Sequence, residues 1–227
     1  LTVLNGRDVF LHPIPLDDRL HPSCTSIIAF GIVDIQTSES YILSVSHPEG
    51  LYHASDLSFL TEKVYTTNKA LLIANGYDID SYDIEMMSYL RTNRGFEIES
   101  HILTTHYNRT LSKMQKINAL VDLVKLEEQT TNLYHKHFKP ITPDGLDFYS
   151  NTLKRSLVTI QSNGLQIDPI LFEENFGNTF SQRGDKCYTQ YNFYTTTGRP
   201  SNRFGGINFA ALPKEDETRA CFISRFE

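Results

Sequence analysis

The apolar stretch at residues 26–33 reads Ser-Ile-Ile-Ala-Phe-Gly-Ile-Val, and it predicts a buried β-strand. A polar turn follows it, and the β-branched and aromatic run at residues 41–45 then predicts the second strand of a β-hairpin. Residues 9–11 predict a short earlier strand, which we expect to end at Pro13 and Pro15. These strands together indicate a sheet that begins with three antiparallel strands.

Beyond the hairpin, the pattern alternates between helices and short strands. It predicts helical structure within 51–64, a buried strand at 70–74 and a helix at 82–91. Apolar positions from Met114 to Leu133 predict a long helix that Pro140 ends. A second helix is predicted at 146–162, with an apolar stripe of Phe148, Leu153, Leu157 and Ile160. A strand at 165–168 and a helix at 169–176, which Gly177 closes, follow it.

This order of elements indicates an α/β protein. Three antiparallel strands followed by helix–strand units are compatible with a ribonuclease H-like mixed sheet, and also with other mixed folds. The composition, with 40% hydrophobic and 21% charged residues among 227, is ordinary for a globular protein. The chain begins with Leu1 instead of Met, which we interpret as the mark of a fragment or a processed product.

The distribution of charge separates the end of the chain from the rest. A net charge of −6 argues against a protein that coats nucleic acid with a generally basic surface. Residues 178–227 hold seven basic and five acidic residues, which gives +2 there and leaves −8 for the remainder. This difference fits local contact with DNA at one end, and it also fits ordinary variation in charge.

Cysteine use and hydropathy bear on the compartment. Cys24, Cys187 and Cys221 have no metal-binding spacing, and their odd number favours a reduced cytoplasmic setting over a disulfide framework. The sequence has no apolar run as long as a membrane span and no pattern of a signal peptide. We therefore expect a cytoplasmic protein without a membrane partner.

The residues with the clearest chemical meaning lie near the end of the chain. Residues 195–201 read Thr-Thr-Thr-Gly-Arg-Pro-Ser, residues 208–213 read Asn-Phe-Ala-Ala-Leu-Pro, and an arginine follows. An arginine fork suits a phosphate or a minor-groove acceptor, glycine lets backbone approach DNA closely, and Ser or Asn side chains hydrogen-bond to phosphates or base edges. The candidate DNA-binding residues are Thr197, Gly198, Arg199, Ser201, Asn208 and Arg219.

This ordered set resembles the start of the palm in family A DNA polymerases, the bacterial DNA polymerase I type. That family has Thr-x-Thr-Gly-Arg-x-Ser, then Asn-Leu-Gln-Asn-Ile-Pro, then an Arg-rich stretch. The resemblance implies that Arg199 contacts the primer terminus and that Asn208 contacts the template–primer duplex. Ala210 and Ala211 stand where the family has Gln-Asn, and two extra residues precede Asn208, which implies a weaker hold on DNA.

A second match covers residues 147–169. It resembles the helix at the base of the polymerase thumb. In the family this helix ends in the motif Gly-(apolar)-x-(apolar)-Asp. Residues 164–168 of this chain match the motif as Gly-Leu-Gln-Ile-Asp. Asp168 precedes Thr195 by only 27 positions, where the family has a long helical thumb. The resemblance therefore implies a very short thumb, as in compact phage enzymes, or an omitted stretch.

Residues before the thumb correspond to the family's 3′–5′ exonuclease domain, whose metal-binding motifs have decayed. Residues 11–14 read Leu-His-Pro-Ile where the family has Asp-x-Glu, and residues 75–78 make an Asn-x-x-x-Asp motif that is one residue short. The third motif, Tyr-x-x-x-Asp, keeps Tyr134 but has Phe138 in place of the Asp. Loss of these carboxylates predicts a scaffold that binds no hard cation and does not proofread.

The resemblance implies part of a DNA-directed DNA polymerase that binds primer–template but carries no catalytic carboxylate. The expected division is an exonuclease-like domain at 1–139, thumb-base helices at 140–182 and the start of the palm at 183–227. A C-terminal portion or subunit would supply the catalytic aspartates, the Mg²⁺ ions and the dNTP site.

Two other interpretations remain open at this stage. The chain could be a non-enzymatic DNA-binding or scaffold subunit of a split polymerase with an inactive nuclease fold. It could also be an active nuclease with relocated carboxylates at Asp17, Asp18, Asp78 and Asp80. The His135/His137 and His101/His106 pairs lack accompanying ligands, so we interpret them as surface or capping residues.

Overall fold

The computed structural model describes residues 2–50, 56–94, 115, 120–202, 207–208 and 211–224. Its first three strands form the predicted antiparallel arrangement. They are β1 (Val9–Pro15), β2 (Ile27–Asp34) and β3 (Ser40–Ser44). Two short 3-10 helices, Thr2–Leu4 and Pro22–Cys24, flank β1.

β1 continues through Pro13 and ends at Pro15, so it is longer than the predicted short strand and only the second proline marks its end. It pairs antiparallel with β2 along its whole length, with a bulge between Ile14 and Pro15. On its other side it pairs only from Val9 to Leu11. Pro13 therefore lies where one neighbouring strand is absent, and a missing N–H is tolerated at such an edge.

Two further strands complete a five-stranded mixed sheet. β4 (Val64–Thr66) pairs parallel with β1, and β5 (Tyr82–Asp83) pairs parallel with β4. The strand order is β3-β2-β1-β4-β5. The predicted α/β class is confirmed at this level: a mixed sheet with helices packed against it.

Two predictions between β3 and β5 are wrong. Residues 56–63 form turns instead of a helix, because the Asp56 carboxylate accepts from the N–H and hydroxyl of Ser58; residues 51–55 lie outside the described part. Residues 70–74 belong to helix α1 (Lys69–Ala74) and not to a strand. The Asn68 side chain caps α1 by accepting from the Leu71 N–H at 3.0 Å, and this starts a helix directly after β4.

The middle helices begin at capping aspartates. α2 (Ile84–Thr92) starts after Asp83, and α3 (Leu123–His137) starts after Asp122. The predicted long helix is thus confirmed from Leu123 onward. Its predicted beginning at Met114 lies outside the described residues, although Leu120 and Val121 precede α3 as non-helical backbone.

The next elements carry a change of helical pitch. A π-helical segment, Phe148–Lys154, runs directly into α4 (Arg155–Asn163), and Gly164 ends it with a φ of 62°. α5 (Pro169–Phe176) follows, capped by Asp168 and closed by Gly177, as predicted.

The last elements are short. β6 (Leu165–Gln166), β7 (Gln182–Arg183) and β8 (Lys186–Cys187) form a small antiparallel sheet in the order β6-β8-β7. A separate two-stranded ladder follows, with β9 (Tyr191–Asn192) against β10 (Ser201–Asn202). The final helix is α6 (Asp216–Ala220).

The mixed sheet has an apolar core on each face. Phe30 and Ile32 pack with Leu71 and Leu72 of α1 on one side. On the other side, Phe10 packs with a cluster that reaches α2 and α3 and includes Phe193 and Tyr194 at its border. A further core joins α5 to the small sheet and to the segment after α6. Within the described residues, no helix is long and apolar enough to cross a bilayer.

Candidate nucleic-acid interface

The Thr-Gly-Arg motif lies on the connection between β9 and β10. The Gly198 N–H donates to the Thr195 carbonyl at 2.9 Å, which closes a tight turn, and Gly198 has a φ of 70°. The Thr195 hydroxyl donates to the Arg199 carbonyl at 2.7 Å. Because a positive φ is readily adopted by glycine, residue 198 sets the shape of this turn.

The turn is fixed to the body of the protein from one side. The Tyr89 hydroxyl, on α2, donates to the Thr195 carbonyl at 2.7 Å. Phe193 and Tyr194, just before the turn, pack against the core of the mixed sheet. The side chains of Thr197 and Arg199 are exposed beyond this anchor, so the turn presents a cation on a firmly held backbone.

Asn208 and Arg219 lie at the rim of a different core. Ile207, next to Asn208, is fully buried with Cys221, which follows α6 by one residue. Both Asn208 and Arg219 are exposed, and the Asn208 carbonyl accepts from the Ala211 N–H at 3.0 Å. The structure therefore brings these two predicted residues around one cluster.

All six predicted contact residues are exposed, but they lie on two elements of surface. Thr197, Gly198, Arg199 and Ser201 belong to the β9–β10 ladder, whereas Asn208 and Arg219 flank the α5–α6 core. A hydrogen bond from the Thr189 hydroxyl to Asn202 at 3.0 Å ties β10 to the chain leaving β8. Of the two alanines that replace the family's Gln-Asn pair, Ala211 is exposed and Ala210 lies outside the described residues.

Residues 11–14, the first motif expected from the resemblance, lie at a small cleft. His12, in the middle of β1, lies 2.7 Å from the Thr67 hydroxyl through its Nδ1 atom. The cleft at this end of β1 and β4 is also lined by Asp17, Asp18 and Asn68. In the described part of the chain, no three His, Cys, Asp or Glu side chains are grouped so as to hold a metal ion.

In the structure, the second motif expected from the resemblance follows a helix. Asn75 follows α1 instead of a strand, and its side chain bridges to the backbone of Thr25 and Ile27. The asparagine that follows the parallel strand β4 is Asn68. The residue four positions later is Leu72, which is buried in the sheet core. This position therefore carries an apolar side chain and no carboxylate.

Tyr134 and Phe138, the third motif expected from the resemblance, pack in the core. Tyr134 and Phe138 stack with ring centroids 5.3 Å apart, and both rings contact Phe10 on β1. Burying Phe138 here stabilises the contact of α3 with the sheet, whereas a carboxylate at this place would have to be desolvated.

Three carboxylates of the nuclease alternative, Asp17, Asp78 and Asp80, contact arginine residues. Arg155 on α4 binds Asp78 at 2.5 Å and Asp80 at 3.0 Å. Asp17 is buried, where its carboxylate accepts from the Arg19 N–H at 3.2 Å. The arginine fork thus holds the loop before β5 against α4.

Sequence reasoning missed a buried polar network beside the motif turn. Lys154 Nζ lies 2.7 Å from Asp83 Oδ2, and both side chains are almost completely buried. The Tyr194 hydroxyl donates to Asp83 Oδ1 at 3.2 Å and also contacts Lys154. Burial, followed by the nearby Asp83 charge, raises the pKa of Tyr194 well above its usual range, so this hydroxyl stays protonated.

This network reverses the predicted face of the 146–162 helix. Phe148 and Ile160, predicted to be buried, are more than half exposed. Within Phe148–Asn163, the buried residues are Ser150, Lys154, Val158 and Gln161. Because the π-helical segment has a wider turn than an α-helix, it rotates the positions that follow it, and the ion pair with Asp83 allows a lysine on the inner face.

Lys69 is a second buried cation. Its Nζ donates to the Ser81 carbonyl at 2.7 Å and also to Asn151 Oδ1 in the π-helical segment. Burial lowers the pKa of Lys69 to about 8, although the nearby Asp83 charge opposes this shift. These contacts tie α1, the loop before β5 and the π-helical segment together.

Stability is expected to fall between pH 7 and pH 5 because of two buried histidines. Burial lowers the pKa of both His12 and His21 to about 4, from about 6.5 in the unfolded chain. The unfolded state therefore binds more protons in this window, and each histidine removes about 2 kcal/mol at pH 5. Thermal melts should show a lower Tm at pH 5, and His12→Asn should weaken this dependence. An equal Tm at both pH values would contradict the assignment.

Comparison with known proteins yields one structural neighbour. No protein-family model and no curated protein sequence matches the chain. Among solved structures, it is similar to the POL domain of Pol1 from M. smegmatis in complex with DNA primer–template and dNTP. The identity is 14% and the TM-score is 0.37, over 76% of this chain and 31% of that chain. The match thus spans less than a third of the neighbour's length.

Proposed function

We propose that this chain is the primer–template-binding part of a DNA polymerase of the family A type. The observation that carries the proposal is the turn at Gly198, which presents Arg199 on a backbone anchored by Tyr89. Ser201, Asn208 and Arg219 follow in the order of the polymerase motif, and all are exposed. An exposed, preorganised arginine suits a phosphate or a minor-groove acceptor at the primer end.

The first part of the chain acts in this proposal as a nuclease-like scaffold without nuclease activity. The strand order β3-β2-β1-β4-β5, with three antiparallel strands followed by two parallel ones, supports a ribonuclease H-like fold for it. In this proposal, we match His12, Leu72 and Phe138 to the positions at which the family's three motifs carry carboxylates. Release of nucleotides from single-stranded DNA by this chain with Mg²⁺ would contradict this part of the proposal.

Catalysis is assigned to residues outside this chain. Two Mg²⁺ ions held by aspartates of a complete polymerase would activate the primer 3′-hydroxyl and stabilise the leaving pyrophosphate. The residues described here supply none of those ligands in our proposal, and dNTP binding likewise belongs to the complete enzyme. We keep the division into an exonuclease-like part at 1–139, a short thumb base at 140–182 and the start of the palm at 183–227.

Replacing Arg199 with Ala is expected to lower the affinity for a primer–template duplex by about tenfold. The affinity is measured by fluorescence anisotropy at several salt concentrations. Loss of one phosphate contact should also reduce the slope of log affinity against log salt concentration by about one. Arg199→Lys should recover only part of the loss, since lysine lacks the planar fork.

Arg7→Ala is the matched control. Arg7 is also partly exposed, but it lies at the start of the mixed sheet, where it contacts Asp34 and Gln36. The proposed surface does not include it, so its replacement should leave duplex affinity unchanged. Equal losses for Arg7→Ala and Arg199→Ala would overturn the proposal that residue 199 is a specific contact.

A further inference from the structure

The turn at Gly198 lies in a segment that has little regular structure of its own. β9 and β10 pair through only two residues on each strand, and residues 193–200 connect them. A two-stranded ladder of this size is marginally stable in water. Contacts with the rest of the protein therefore contribute to holding the turn in one shape.

The Thr195 carbonyl, at which the turn begins, accepts two hydrogen bonds. One comes from inside the turn, from the Gly198 N–H at 2.9 Å. The other comes from α2, from the Tyr89 hydroxyl at 2.7 Å. A carbonyl oxygen has two lone pairs, so both acceptor positions are used. The first bond closes the turn, and the second fixes the direction of the peptide group that starts it.

Tyr89 is itself held in a fixed position by its helix. The Asp83 side chain caps α2 by accepting from the Met86 N–H at 2.9 Å. Met86 and Met87 are buried in the core beside the mixed sheet. The Tyr89 side chain is half-buried, with its ring centroid 5.7 Å from that of Tyr194. The hydroxyl that reaches Thr195 is therefore placed by an element that the core holds.

Tyr194 fixes the same segment from a second direction. Its hydroxyl donates to Asp83 Oδ1 at 3.2 Å, and its N–H donates to Asn192 Oδ1 at 3.0 Å. Asp83 is also the cap of α2. Thr195 and the residue before it are thus both hydrogen-bonded to α2 or its cap, which makes α2 the support of the turn.

We propose that Tyr89 is a positioning residue for the binding of primer–template by Arg199. This inference rests on the proposed function. The Tyr89 hydroxyl acts through the Thr195 carbonyl and not by contact with DNA, because it keeps the Gly198 turn in the shape that presents Arg199. Without it the turn would populate more conformations, and binding would have to order them at a cost in affinity.

Tyr89→Phe, made in the whole chain, tests the inference because it removes only the hydroxyl. Amide hydrogen exchange at Gly198, followed by NMR, should become about fivefold faster, since the bond to Thr195 opens more often. Affinity for a primer–template duplex, measured by fluorescence anisotropy, should fall about fivefold, as expected for one hydrogen bond.

Tyr41→Phe is the matched control. Tyr41 is also half-buried, and its hydroxyl donates to Glu39 Oε2 at 2.9 Å on the edge strand β3. This variant loses a hydrogen bond of the same kind, so the Tm of the two variants should be similar. It should leave Gly198 exchange and duplex affinity unchanged. An equal loss of affinity in both variants would overturn the inference.

A double-mutant cycle separates positioning from direct contact. In an Arg199→Ala background, Tyr89→Phe should change duplex affinity less than twofold, because the side chain that the turn presents is already gone. A tyrosine that contacted DNA itself would cause its full loss in both backgrounds. A general structural defect would do the same, so an undiminished loss would refute the positioning role.

Failure of this inference can be distinguished from failure of the proposed function. A normal loss in Arg199→Ala, together with wild-type affinity in Tyr89→Phe, would refute the inference and leave the proposed function intact. Unchanged affinity in Arg199→Ala would refute the proposed function, whereas faster exchange at Gly198 in Tyr89→Phe would still show that Tyr89 holds the turn. An unchanged exchange rate at Gly198 would refute the inference whatever the affinity.

Discussion

Replacing Lys154 with Met is expected to lower the free energy of unfolding by about 3–5 kcal/mol, as measured by urea denaturation. The lysine side chain is 6% exposed and its partner Asp83 is fully buried, so the variant leaves a carboxylate without its counter-charge. The Tyr194 hydroxyl and the Met86 N–H still donate to Asp83, but neutral hydrogen bonds do not replace an ammonium.

A double-mutant cycle provides the control for Lys154. Asp83→Asn keeps an N-cap for α2, because the Asp83 side chain accepts from the Met86 N–H and an asparagine can do the same. Combined with Lys154→Met, it removes both charges and should recover most of the lost stability. Simple addition of the two single effects would show that the charges do not interact and would contradict the buried ion pair.

Gly31→Ala is expected to destabilise the protein by about 3 kcal/mol, because α3 crosses β2 at very short distance there. A Cβ atom at residue 31 would lie 1.9 Å from the Thr130 hydroxyl oxygen and 2.7 Å from the Thr130 Cβ. Thr130 is fully buried and its hydroxyl donates to the Leu126 carbonyl at 2.8 Å, so it has little room to move. Urea denaturation measures the loss.

Changes at Thr130 test the cause of that loss. Thr130→Ala leaves a Cβ in place and should rescue Gly31→Ala only in part. Thr130→Gly removes the clashing atoms. The Gly31→Ala/Thr130→Gly double variant should therefore lose only about 1 kcal/mol in free energy of unfolding, which is the cost of a glycine within a helix. A Gly31→Ala protein as stable as the wild type would show that α3 does not pack on β2 at this distance.

Local signals in the sequence predicted the elements that local contacts determine. The hairpin of β2 and β3 follows from β-branched and aromatic runs around a polar turn, and α5 was predicted with its closing Gly177. The apolar run at residues 70–74 has no periodicity that separates a short strand from a short helix. The capping residue Asn68 was the signal that could have decided it.

The six candidate contact residues are exposed in the structure, and their role in binding DNA stays a prediction. Their surroundings could not be predicted from the sequence. The buried face of α4 was not predictable, because Lys154 is inside only when Asp83, from a strand far away in sequence, is beside it. Tertiary pairing of this kind leaves no local pattern, and the π-helical segment shifts the face further.

The most direct test of the central claim is disulfide crosslinking of Ser201→Cys to a primer–template whose primer-terminal phosphate carries a thiol tether. The protein without an added cysteine is the background, since Cys24 is half-buried while Cys187 and Cys221 are buried. Ser58→Cys, an exposed position next to Asp56, is the matched control. The account predicts efficient crosslinking at residue 201 and only background at residue 58. Equal crosslinking at both positions, or crosslinking at residue 58 alone, would contradict it.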